Sequence, residues 1–238
     1  MNSGFYNDLD TNFEQAYEMS TKDFSHKELI ELLKNGNVPQ KQIAAMKITE
    51  VNEGEAEILV GNLTGCDGKI REAVALKINQ LLNSDKKYIK YFSKYYLPLA
   101  DATIDINGNI CRLVIDSVSI LKEDKNFTDK YLAKIFEFIE ASFKGLDEII
   151  FRDKKYTINK QLFKLYWCLE SINLFKNDIS AEKLLPILER ASKEKEYTIR
   201  EKVAQIVSGL NSPQYLPLRN ILMNDDNYYV REIFNKSL

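Results

Sequence analysis

The chain has 238 residues, 45% of them hydrophobic, and its 33 basic and 35 acidic side chains leave a formal net charge of −2. That length supports a sizeable buried core without metal or disulfide staples, and the near-cancelling charge excludes a general pull toward nucleic acid or anionic membrane. Cys66, Cys111 and Cys168 lie 45 and 57 residues apart with no C-x-x-C pair, so neither a disulfide framework nor a zinc site is expected, and a reducing, cytoplasmic setting is.

In chain order, residues 1–24 come first. MNSGFYNDLDTNFEQAYEMS carries Asp8, Asp10, Glu14 and Glu18 where a secretory signal needs a basic start and an apolar run, which predicts a polar, partly disordered arm. Residues 25–238 read as a single domain. The 9 glycines and 5 prolines fall between apolar-periodic stretches of helical length, so every predicted element is a helix. No apolar run approaches the roughly 18 residues that span a bilayer, and no membrane partner is expected.

The first predicted helix is HKELIELLKN (26–35). A weak second one is anchored at Lys41, with Ala44, Ile48 and Val51 apolar but Gln40 polar where an apolar residue is expected. EGEAEILVGNL (53–63) follows, and then DGKIREAVALKINQLL. There Ile70, Val74, Ile78 and Leu81 lie at −1, +3, +7 and +10 from Arg71, one face of a 3.6-residue period.

A helix over Lys86 to Leu99 precedes the same offsets around Cys111, which are Ile110, Val114, Val118 and Leu121. A helix over Phe127 to Phe143 precedes Ile158, Leu162, Tyr166 and Leu169 around Asn159. AEKLLPILERA (181–191) precedes Ile199, Val203, Val207 and Leu210 around Arg200. Pro213 to Met223 precedes Val230 and Phe234 around Arg231, with Leu238 at +7. The anchors 41, 71, 111, 159, 200 and 231 thus mark six helical pairs. A pair of this size cannot bury its apolar face alone, so the pairs must stack on their neighbours. The expected fold is an all-α, right-handed α-solenoid of about six antiparallel helix pairs.

The turn followed by Ile/Val-Arg-Glu, as in DGKIREAVALKINQLL and DDNYYVREIFNKSL, resembles the HEAT-repeat family over roughly residues 26–238. The likeness is to the short repeats of about 30 residues common among bacteria, the type also found in bilin lyases. It implies a ladder in which an acidic turn residue and the arginine bond across neighbouring repeats. Asp67 with Arg71 and Asp226 with Arg231 match that pattern; Glu196 before Arg200 is a weaker match, and Cys111 and Asn159 interrupt it.

The +1 and +5 positions, Glu72, Arg112, Asp116, Lys160, Lys164, Glu201 and Gln205, line the surface made by successive second helices. The resemblance implies that this surface is concave and binds partners. Trp167, the sole tryptophan, stands in register with the polar Asn79, Ser119 and Ser208. It is either an exposed anchor on that surface or covered by the long connection of the fourth repeat.

KKYIKYFSKYY (86–96) interleaves Lys86, Lys87, Lys90 and Lys94 with five aromatics, a pattern that nucleic-acid grooves use. At helical spacing Tyr88, Phe92 and Tyr95 equally form one packed face with the lysines solvated, and this reading is preferred. The sole histidine, His26, follows Ser25 at a helix start without a metal-spaced companion. Glycine-rich phosphate loops, G-x-S-x-G and H-E-x-x-H are absent, so no catalytic residue, metal or cofactor is expected.

The expected function is a non-enzymatic scaffold for a protein partner. A nucleic-acid role like that of the HEAT-like DNA glycosylases is the disfavoured alternative, because those enzymes line a basic cleft with tryptophans. A bilin-lyase-like role is a second alternative resting on the repeat alone, and a repeat does not fix an activity.

Overall fold

The computed structural model describes residue 17, residues 19–148 and residues 155–235, the side chains of 155–157 excepted. The disordered arm expected at the N-terminus falls largely on residues 1–16 and 18, outside the described residues. Of its remainder, residues 19–21 are helical, and Phe24 lies beneath the ammonium groups of Lys22 and Lys47 at 5.1 and 5.5 Å.

All regular elements among the described residues are helices. They are α1 (His26–Asn35), α2 (Val38–Lys47), α3 (Glu53–Leu63), α4 (Gly68–Ser84), α5 (Lys87–Phe92), α6 (Tyr96–Thr103) and α7 (Gly108–Leu121). After these come α8 (Lys125–Asp147), α9 (Lys155–Phe175), α10 (Ala181–Ala191), α11 (Tyr197–Ser208), α12 (Leu216–Met223) and α13 (Tyr228–Asn235). No described helix is long and apolar enough to cross a membrane.

Local chemistry fixes the helix starts. Ser25 with Glu28, Asn37 with Gln40 and Asn52 with Glu55 each form a capping box that satisfies otherwise orphaned N–H groups. Gln40, out of place as a core residue, is therefore the reciprocal cap of α2. Gly36 ends α1 where a Cβ would strike the Leu32 carbonyl.

The chain divides into two compact units, Met1–Tyr131 and Leu132–Leu238. In the first, the second helices α2, α4 and α7 pack in one row and α1, α3 and α6 in another. Leu33, Leu59, Leu63, Val74, Ile78 and Val118 are buried between the rows. Each such side chain contributes about 1.5–3 kcal/mol of transfer free energy, set against the entropy of ordering the chain. In the second unit α11 packs against α9 on one side and α13 on the other, with α10 and α12 against it. The fold is all-α among the described residues, and each unit is a solenoid-type stack of helix pairs, as the periodicity requires.

Several details depart from the sequence reading, among them the predicted Pro213–Met223 helix, which opens as a 3₁₀ turn, Pro213–Tyr215. The α2 helix ends at Lys47, so Ile48 and Val51 are buried from the connection after it. The predicted Lys86–Leu99 helix is two helices joined by a 3₁₀ turn, Ser93–Tyr95. In α9, Ile158, Leu162 and Tyr166 are only half-buried, while Leu165, Cys168, Leu169, Ile172 and Phe175 are buried. This 21-residue helix buries its C-terminal half, which moves the apolar face along the chain.

Candidate partner-binding surface

The repeated arginines are structural. Arg71 donates from Nε and Nη2 to the two carboxylate oxygens of Asp105 at 2.7 and 3.2 Å, and from Nη1 to the carbonyls of Gly65 and Cys66 at 2.8 and 3.0 Å. Arg200 repeats the arrangement on Asp225 at 2.7 and 3.0 Å and on the carbonyls of Glu194 and Lys195 at 2.8 and 3.0 Å. It adds a bond to Asp226 at 2.9 Å. The paired carboxylates of Asp105 and Asp225 are each only 9% exposed, and a planar guanidinium fork suits such a partner where an ammonium does not.

The pairing runs forward, from Arg71 and from Arg200 to the turn of the following repeat. Asp67 accepts instead from the N–H groups of Lys69 and Ile70 as the cap of α4. Asp226 takes Arg200 and not Arg231, whose Nη1 bonds the Asp225 carbonyl. Glu196 caps α11. The two partners that sequence reading missed, Asp105 and Asp225, share a local signature, Asp-x-Asn, six residues ahead of the next anchor. In both, the Asn N–H bonds the Asp carboxylate at 2.8 Å, and the Asn side chain caps the amide two residues on at 2.9 Å.

Where the arginine is lost, the neighbourhood differs. Cys111 donates its thiol to the Asp105 carbonyl at 3.1 Å, filling the same carbonyl site as an arginine Nη1. Burial, and after it the Asp105 charge, pushes this thiol up to about 12, so no thiolate forms near neutrality. Cys168 is buried and Cys66 exposed. A thiol reagent at pH 8 is therefore expected to modify the folded protein at Cys66 within minutes and the other two only on unfolding, as counted by intact mass.

Asn159 is exposed, and Glu194 stands at the turn position six residues before Arg200. Burial raises the Glu194 carboxyl above its usual range; Arg190 draws it down and Asp147 pushes it up. Its stabilising contribution is thus fullest at low pH and is lost as pH rises through the raised value. Glu194→Gln is expected to raise the melting temperature at pH 7, the gain vanishing near pH 4.

The +1 and +5 residues of the first unit come together. Glu72, Leu76, Asn109, Arg112, Leu113 and Asp116 line one open groove of about 310 Å³ on α4 and α7. The Glu72 carboxylate accepts from the side-chain amides of Asn107 at 3.2 Å and Asn109 at 3.1 Å, and Arg112 donates to the Asn109 carbonyl oxygen at 3.0 Å. Asn109 thus orients a carboxylate and a guanidinium about an exposed Leu76. Directional donors and acceptors around an apolar floor suit an extended chain.

In the second unit Lys160 is exposed and Lys164, Glu201 and Gln205 are half-buried. Gln205 donates to Glu201 at 3.4 Å and accepts from Lys202 at 2.7 Å. Lys202 also pairs with Glu170 and lies over the Tyr166 ring. Trp167 is buried, 7% exposed, and meets Phe163 and Tyr166 edge to face at 6.1 and 5.2 Å. Between the two sequence alternatives it is a packed side chain and not an open anchor.

The lysine and tyrosine segment divides by face. Tyr88 and Phe92 are buried, while Lys86 pairs with Glu123, Lys87 with Asp85 and Lys94 with Glu53. His26 bonds Glu55 at 3.0 Å. Among the described residues no group of three or more His, Cys, Asp or Glu could hold a metal ion.

Stacked helix pairs keyed by repeated Arg–Asp bonds define a helical repeat protein. No protein-family model matches the chain, and no curated protein matches it. Among solved structures it is similar to two engineered proteins from the Northeast Structural Genomics Consortium, at 12% identity with TM-score 0.49 and at 13% with TM-score 0.47. These alignments cover 91% of this chain in each case and 96% and 98% of the engineered ones. It is also similar to a designed armadillo repeat protein, at 10% identity and TM-score 0.46 over 90% of this chain and 98% of that one.

Proposed function

We propose that the protein is a non-enzymatic, HEAT-like scaffold that receives an extended segment of a protein partner in the groove of α4 and α7. The observation that carries this reading is the convergence of Glu72, Arg112 and Asp116 around Leu76 and Leu113 in one open groove. None of these side chains is needed for the core, which lies on the opposite faces of the same helices. Free thiols at the three cysteines support a reducing compartment.

A photo-crosslinker placed at Leu76 is expected to capture a partner in native lysate, whereas one placed at the exposed Met223 is not. In the chain that carries the crosslinker at position 76, Arg112→Glu combined with Asp116→Lys is expected to abolish capture with the helical circular dichroism unchanged. Capture that survives both substitutions would overturn the assignment of the groove. A nucleic-acid role is less well supported, because the lysines of 86–94 that pair do so with carboxylates and Tyr88 and Phe92 are spent in the core. Salt-sensitive binding to DNA at low ionic strength would restore it.

A further inference from the structure

A second surface lies on α11 and α13, on residues the groove does not use. At the third residue before each anchor, α4 and α7 carry Gly68 and Gly108, whereas α11 and α13 carry Tyr197 and Tyr228. Four residues on, and hence on the same helix face, are Glu201 and Glu232. The two helices pack side by side. Tyr197 stacks on Tyr229 at 5.9 Å, and Tyr229 meets Tyr228 edge to face at 5.6 Å. The Glu232 charge acts on the Tyr228 hydroxyl and raises its pKa. A contiguous belt results, running Glu201, Tyr197, Tyr229, Tyr228, Glu232.

Packing does not require these tyrosines: Tyr228 and Tyr229 are each 58% exposed. Among the described residues the cations near the belt are engaged elsewhere. Arg200 is turned onto Asp225 and Asp226, Arg231 onto the Asp225 carbonyl and Lys202 onto Glu170. Glu201 and Glu232 accept hydrogen bonds only from neutral groups among the described residues, namely Gln205 and Asn235. Asp226, although bonded to Arg200, is 93% exposed. Aromatic faces edged with carboxylates that lack a cation recognise cationic side chains, through ring quadrupole and charge together.

We propose that this belt binds a basic segment of a partner protein, whose Lys or Arg side chains lie on Tyr228 and Tyr229 and pair with Glu201 and Glu232. The occupant is a cationic peptide and not a second copy of the chain, because nothing on the belt itself supplies the cations it lacks.

The test is fluorescence anisotropy with a labelled twelve-residue peptide of alternating Arg and Ser, and with its Glu-for-Arg analogue. The full chain is expected to bind the first and not the second at low salt. Glu201→Gln with Glu232→Gln should weaken binding about tenfold, and Tyr228→Leu with Tyr229→Leu about fivefold. The tyrosine effect should persist at high salt while the carboxylate effect shrinks. The crosslinker at Leu76 reads the groove separately, so that failure of the belt and failure of the groove are told apart. Equal binding of both peptides, or none at low salt, would overturn the proposal. So would a dimer in sedimentation that the tyrosine variant converts to monomer.

Discussion

Replacing Arg200 by Ala is expected to destabilise the protein by about 3 kcal/mol, which lowers the melting temperature by roughly 6–12 °C. The loss exceeds that of an exposed ion pair because the guanidinium answers four groups together: both oxygens of Asp225, the Asp226 carboxylate, and the carbonyls of Glu194 and Lys195. Alanine leaves the Asp225 carboxylate, 9% exposed, without its counter-charge. Arg200→Lys should recover less than half of the loss, since an ammonium cannot grip two oxygens and two carbonyls in one plane.

The pH dependence follows from the same contacts. The Arg200 hydrogen bond holds Asp225 below the usual carboxylate range against an opposing push from burial. A depressed acid stabilises the fold above its unfolded value and loses that contribution as pH falls through the folded one. The gap between the natural chain and Arg200→Ala should therefore be full at pH 7 and close only below about pH 4. Thermal melts of both proteins at pH 7, 5 and 3 measure it, and a gap that is constant down to pH 3 would mean that the pair does not act as described.

Phe92→Ala is expected to cost about 3–5 kcal/mol, from lost transfer free energy together with the cavity left behind. Phe92 has no exposed surface and lies 6.4 Å from the ring of Tyr88. Changing Lys86, Lys87, Lys90 and Lys94 together to Gln should leave the urea midpoint almost unmoved, because exposed pairs gain little Coulomb energy in water. Urea titrations of the two variants thus separate the two faces of one short segment. A small effect at Phe92 with a large one at the lysines would reverse the assignment of those faces.

The helices themselves were legible because their causes are local. HKELIELLKN, with its Ser25–Glu28 capping box, and AEKLLPILERA carry their apolar spacing within ten or eleven residues, and both match the structure end to end. The offsets around Arg71, Cys111 and Arg200 named the buried faces of α4, α7 and α11, with Ile70 alone half-buried. Because the same periodicity puts every +1 and +5 residue opposite that face, the groove residues Glu72, Arg112 and Asp116 were within reach. Leu76 holds the same +5 offset from Arg71, but an apolar residue there carries no sign of exposure, and Asn109 lies outside both offsets.

The sequence by itself determined the helices, their caps and which stripe of each is apolar, because those depend on contacts within a few residues. Only the tertiary structure decided what each arginine binds, since Asp105 and Asp225 lie 34 and 25 residues further along, where the stacking of the next repeat delivers them. The same holds for Trp167, whose periodicity fitted both an open and a covered position, and for the belt from Glu201 to Glu232. Its tyrosines meet across two helices only once those helices pack.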